Sequence, residues 1–231
     1  ATVTAGATIS MSGANGQRLE IPRTYSSIAA TTGDGADIVV TGGVEDLTVV
    51  SSGDISGVGH GIYTRNYGGG ETSIATRNAA GTNNEGIHSI GGATTTGMTI
   101  GATGDVTGSE GINADNGGIG ALRITANNVT GTTGHGINAL NPAVEAPLGG
   151  YMDMGYGGPG GYVDPLAMDP APCAAAMGGA GTDLIITTTG TVVGAQSGIK
   201  AENAGTGVTR ITTESVTGTY GIGIDTIAGT G

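Results

Sequence analysis

Apolar and small polar residues alternate along this chain in short runs, and glycines break the runs. Period-two alternation bounded by glycine predicts short strands and turns, not helices. The runs also recur. Residues 122–136 read LRITANNVTGTTGHG, residues 184–198 read LIITTTGTVVGAQSG and residues 209–223 read TRITTESVTGTYGIG. A Gly-Ile pair anchors each repeat, at Gly61-Ile62, Gly86-Ile87, Gly111-Ile112, Gly136-Ile137, Gly198-Ile199 and Gly223-Ile224. The intervals are 25, 25, 25, 62 and 25 residues, so the long one is a repeat carrying 37 extra residues. Each repeat has room for three short strands and none for a helix. Strands this short are stable only when repeat stacks on repeat. Stacking aligns the six anchor isoleucines in one buried ladder and places Val106, Val129 and Val216 on or near another. The fold expected is all-β: a right-handed parallel β-helix (a β-solenoid) with 25-residue coils and one long loop insertion. The many glycines are expected to supply turn conformations that a β-carbon resists.

A second ladder supports the register. Four residues beyond the anchor isoleucine stand Asn66, Asn116, Asn141 and Asn203, with Gly91 and Ala228 breaking the series. Stacked amides can hydrogen-bond from coil to coil, and Asn also suits left-handed turns; both roles are structural. The solenoid is assigned to residues 30–231. Residues 1–29 fit the repeat poorly and read as an irregular N-terminal edge or cap. Residues 142–180 interrupt the array with six of the seven prolines, four of the six methionines, three of the seven tyrosines and the single cysteine, Cys173. Tyr and Met among Gly and Pro give adaptable contact area. Tyr151, Met152, Met154, Tyr156, Tyr162 and Met168 are therefore candidate partner-binding residues. The plain alternative is a loop without a role.

Composition narrows the function. With 49 Gly, 7 Pro and neither Trp nor Phe in 231 residues, the core must be thin and aliphatic. Seven basic against 19 acidic residues give a net charge of −12, which opposes nucleic acid and anionic membrane surfaces. No apolar run approaches the roughly 20 residues of a membrane span. One cysteine excludes an internal disulfide. A chain that starts at Ala1 suits a secreted protein after signal-peptide removal.

The candidate chemistry is sparse. Residues 178–186, GGAGTDLII, match one calcium nonapeptide, but a site needs ligands from successive turns, and GGIGALRIT at 117–125 has Ala121 in place of the Asp. A Gly turn before a strand is the simpler reading. One column is less bland. The residue before each anchor glycine runs His60, Glu85, Glu110, His135, Ser197, Ile222, with His88 near the same edge. Stacked about 5 Å apart, two carboxylates flanked by imidazoles suit acid–base work or a metal; an exposed turn of mixed charge needs neither. Glu85 and Glu110 are expected to share a proton, and His60 and His135 to have raised pKa values. No catalytic residue, metal site or cofactor is assigned.

Stretches such as TTTGTVVGAQSGIKAENAGTG and TTESVTGTYGIGID resemble the passenger domains of bacterial autotransporters, Thr/Gly-rich β-helices displayed on the cell surface. The resemblance implies an extracellular or bacterial cell-surface location and an adhesive role toward a protein or glycan on another cell. The alternatives are a structural subunit stacking end to end with copies of itself in a filament or surface layer, and a polysaccharide lyase or hydrolase. The lack of Trp and Phe platforms counts against the last.

Overall fold

Stacking the repeats produces the expected parallel β-solenoid, of about seven turns. The computed structural model describes residues 2–5, 9–13, 17–21, 27–142 and 181–228. Each turn carries three strands, and each strand pairs in parallel with its counterpart one turn later. The anchor face is an eight-stranded sheet that includes Ala36–Val40, Ile62–Asn66, Ile87–Gly91, Ile112–Asn116, Ile137–Asn141, Ile199–Asn203 and Ile224–Ala228. Its register sets Ala36, Ile62, Ile87, Ile112, Ile137, Ile199 and Ile224 directly over one another. A second face stacks Leu47–Ser51, Glu71–Thr76 and the later strands that open on Gly97, Leu122 and Leu184. The third face holds the valines, with Val106, Val129, Val192 and Val216 in one column. Val192 belongs to that ladder although the sequence pattern did not single it out. The strands Gly97–Gly108 and Leu122–Gly131 run through the corner between these two faces, with a register shift between Ala102 and Asp105.

Residues 1–29, expected as an irregular edge, contribute the strands Thr2–Ala5, Ile9–Gly13 and Gln17–Ile21, and Ile9 pairs opposite Ala36. Residues 143–180, with Tyr151, Met152, Met154, Tyr156, Tyr162, Met168 and Cys173, lie outside the described residues. Among the described residues no helix is long and apolar enough to cross a membrane.

Alternation does the sorting. From Ala36–Val40 to Ile199–Asn203 the anchor-face strands repeat one buried and one half-buried position, so every second side chain enters the core. The core is one aliphatic column per face, relieved by small residues. Thr64, Ser89, Ala114, Ala139 and Ala201 stack in one buried row, and the Thr64 hydroxyl donates to Ser89 Oγ at 2.8 Å. The Asn ladder forms where expected. Asn116 Nδ2 donates to Asn141 Oδ1 at 2.9 Å, and Asn141 Nδ2 donates to Asn203 Oδ1 at 3.0 Å, all fully buried or nearly so. A further ladder of Asp54, Asn78, Asp105 and Asn128 runs along the start of the third face. Asn78 Nδ2 donates to Asp54 at 2.7 Å and Asn128 Nδ2 donates to Asp105 at 2.9 Å.

The anchor glycines answer to space, which corrects the expectation of special backbone angles. Among the described residues only Gly33, Gly43 and Gly97 have positive φ, at 71°, 85° and 159°. A β-carbon on Gly136 would instead lie 2.6 Å from the Gly198 carbonyl oxygen and 2.7 Å from Val192 Cγ1. Gly86 meets Val106 in the same way, at 2.7 Å. Gly86, Gly111, Gly136 and Gly198 are the floor on which Val106, Val129, Val192 and Val216 sit.

Candidate functional site

The turn column forms as the 25-residue register requires. Gly61 N–H donates to the Glu85 carbonyl, Gly86 N–H to that of Glu110, Gly111 N–H to that of His135 and Gly136 N–H to that of Ser197. Gly35 N–H donates to the His60 carbonyl, which adds Asp34 to the head of the column. The structure thus stacks Asp34, His60, Glu85, Glu110, His135 and Ser197 on one edge, and the side chains of this edge divide into two groups.

The first group is tightly knit. His60 Nδ1 lies 2.9 Å from Asp34 Oδ1, and His60 Nε2 lies 2.9 Å from Glu85 Oε2. The His60 backbone N–H also donates to Asp34 Oδ1, at 2.8 Å. His88 stands on the neighbouring strand, and its Nδ1 approaches the same Glu85 oxygen at 3.7 Å. That nitrogen is buried and has no hydrogen-bond partner. Tyr63, the register partner of His88, stacks on both imidazoles, with ring centroids 4.6 Å from His60 and 4.9 Å from His88. Arg65 lies over the tyrosine ring at 4.4 Å and donates from Nη2 to Asp37 Oδ1 at 2.7 Å. Asp34, His60 and Glu85 occupy one equivalent position in three successive coils, so rigid strand pairing sets their spacing.

Its electrostatics follow from the contacts. Burial opposes the imidazolium of His60, but the hydrogen bonds to Glu85 and Asp34 outweigh it and raise the pKa. The His60 hydrogen bond in turn holds Glu85 down at about 2, against the opposing effect of burial. Burial lowers the pKa of His88, and the charge of Glu85 only partly compensates.

The second group does not join the first. Burial, and then the charge of Glu85, raise the pKa of Glu110, whose Oε2 is buried without a partner. His135 accepts from the Ser197 backbone N–H through Nδ1 at 3.3 Å. Burial and the charge of Lys200 lower its pKa, opposite to the rise expected from a neighbouring glutamate. The expected shared proton between Glu85 and Glu110 is likewise replaced by a His60–Glu85 pair. A low and a raised carboxylate side by side is the pattern of an acid–base couple. Here the Glu85 oxygen is committed to His60 and the free Glu110 oxygen is shut away from solvent.

Protein families, curated proteins and solved structures offer no match to this chain. The likeness to autotransporter passengers therefore rests on repeat text and on the solenoid itself.

Two other sequence candidates, the nonapeptide match and the Asn ladder, resolve as structure. Asp183, from the nonapeptide match, accepts from the Val208 backbone N–H at 3.0 Å, as Asp46 does from Glu71 at 2.8 Å. Asn66, Asn116, Asn141 and Asn203 are buried in the ladder. The sequence reading missed Asp34, Tyr63 and Arg65. Asp34 had a signal, since it precedes Gly35-Ala36, the weakened anchor of the coil before Gly61-Ile62. Tyr63 and Arg65 sit one and three residues beyond the inward-facing Ile62, at the outward positions of that strand.

Proposed function

We propose that this chain is a non-enzymatic β-solenoid, secreted or displayed on a bacterial surface, that holds its 142–180 insertion out to a protein or glycan partner. One observation carries the reading: the array closes without disturbance around the interruption. Ile137 to Asn141 pair in register with Ile199 to Asn203, and Leu122 pairs with Leu184. The ends of the insertion meet, since Asn141 Nδ2 donates to the Thr182 carbonyl at 3.3 Å and the Gly181 Cα faces the Asn141 amide. A rigid array that tolerates so long an excursion at one turn suits display, because loops on rigid scaffolds carry recognition while the strands carry stability. The net charge of −12, the absence of Trp and Phe for sugar stacking and the passenger-like repeats favour contact over catalysis.

The test is retention of coated beads on arrayed glycans, on matrix proteins and on cultured cells. Beads carrying the full chain are expected to bind at least one of these surfaces. Beads carrying a chain with 143–180 replaced by a short Gly-Ser link are expected to lose at least tenfold of that binding while keeping the same β spectrum and melting. Equal retention of the two, or retention of neither, would overturn the reading. Release of sugars from an arrayed polysaccharide would replace it with the enzyme.

A further inference from the structure

We propose that His60, Glu85 and His88 bind a divalent first-row transition ion, zinc in the first instance, through two imidazole nitrogens and one carboxylate oxygen. The donor atoms of these three side chains lie within 4.8 Å of one another. Ligands held about 2.0–2.2 Å from a tetrahedral zinc stand roughly 3.4 Å apart. The 2.9 Å from His60 Nε2 to Glu85 and the 3.7 Å from His88 Nδ1 to Glu85 straddle that value, so small side-chain rotations suffice.

Three further observations point the same way. His88 Nδ1 is buried, faces the Glu85 oxygen and has no hydrogen-bond partner, although a buried polar nitrogen is nearly always satisfied. A metal would supply the missing partner. Asp34 holds the far nitrogen of His60, which sets the ring orientation, and Nε2 becomes the ligand when the ion displaces the proton it shares with Glu85. A carboxylate behind a ligating histidine is the usual outer support of such a centre. Tyr63 stacks on both imidazoles and fixes their planes before any ion arrives. The chemistry of the donors selects the class. Two nitrogens and one carboxylate suit zinc, cobalt or nickel, whereas calcium and magnesium take oxygen ligands. Each side chain of the triad stays partly exposed, between 14% and 21%, so water can fill the remaining position and the ion can enter. An ion here would clamp the coil of His60 to the coil of Glu85 and His88.

The proposal does not depend on the insertion, and its test is separate from bead retention. The untagged full chain, stripped with chelator, is titrated with zinc chloride against a chromophoric competitor. The expected result is one saturable equivalent. His88→Ala removes a ligand that has no hydrogen bond to lose, so it should fold normally and bind at least tenfold more weakly. Asp34→Asn should weaken binding about 10- to 100-fold. His135→Ala should bind as the unaltered chain does. On zinc addition, nitrogen NMR should move the signals of His60 Nε2 and His88 Nδ1 and leave those of His135 in place. Absence of a saturable equivalent, equal affinity in His88→Ala, or unmoved His60 and His88 signals would each overturn the site.

Discussion

A single methyl group separates the anchor glycines that matter from those that do not. Gly136 has the next coil's carbonyl oxygens and Val192 within 2.6–2.8 Å of where a β-carbon would stand. The neighbours are mostly backbone and cannot swing aside. Gly136→Ala is therefore expected to destabilise the solenoid by about 1–3 kcal/mol, as overpacked cores do. Gly223 meets nothing closer than 3.6 Å, so Gly223→Ala should stay within about 0.5 kcal/mol. Chemical denaturation of both variants checks the contrast, and similar losses would refute the spatial account. A second residue-scale prediction concerns Glu110. Its folded-state pKa is raised, by burial first, so the folded chain holds that proton more tightly than the unfolded chain does. Stability must then fall as pH rises from the ordinary glutamate value near 4.3 through the folded value. Glu110→Gln removes the penalty. It should raise the melting temperature at pH 7, with the gain shrinking to nothing as pH drops toward 4. A gain that persists in acid would mean packing, not charge, is responsible.

At the scale of one turn, the break in the Asn ladder has a structural cause. Gly91 pairs with Asn66, and Gly97 pairs with Glu71, so the turn Gly91–Gly97 is one residue longer than Asn66–Glu71. Thr95 fills the place of the missing amide. Its hydroxyl is buried, hydrogen-bonds the Asn66 carbonyl at 3.3 Å, and lies 3.3 Å from where a Gly91 β-carbon would stand. Asn116 Oδ1 is left buried without a donor. Gly91→Asn alone should be destabilising, because the amide and Thr95 compete for one site. Combined with Thr95→Gly it should extend the ladder and give Asn116 its donor. A double-mutant cycle is expected to show favourable coupling of about 1 kcal/mol. Additive losses would mean that the orphan oxygen is satisfied some other way.

Over the whole molecule, each coil touches only its neighbours, and the effect of damage should depend on position along the stack. Ile137 is fully buried between Ile112 and Ile199, whereas Ile224 is 39% exposed in the last described coil. Ile137→Asp places an unpaired carboxylate in an apolar column, which costs several kcal/mol. Ile224→Asp should be much milder, because that side chain is already 39% exposed and a carboxylate there stays in water. Hydrogen exchange should show loss of protection spreading to both sides of residue 137 in the first variant and confined to the last coil in the second. Equal global destabilisation would contradict a one-dimensional array.

The period of 25 residues was enough to determine the three-strand coil, the Ile and Asn ladders and the membership of the His60–Glu85–Glu110–His135 column. Identical spacing puts equivalent residues over one another whatever their side chains are. Period-two alternation then decides which of them face inward. Asp34 was equally available once its weakened anchor was accepted as a coil. Other properties depend on contacts between columns and on side-chain rotamers, which a linear period does not encode. Glu85 pairs with His60 and not with Glu110, because a carboxylate gains from imidazolium what it loses beside a like charge. His88 leans into the column from the adjacent strand position, and Tyr63 packs both rings into one cradle. The anchor glycines serve close approach and not unusual φ, a distinction visible only once Val192 and the Gly198 carbonyl stand beside Gly136. The repeat thus specified which residues are neighbours, and three-dimensional packing chose which neighbours interact.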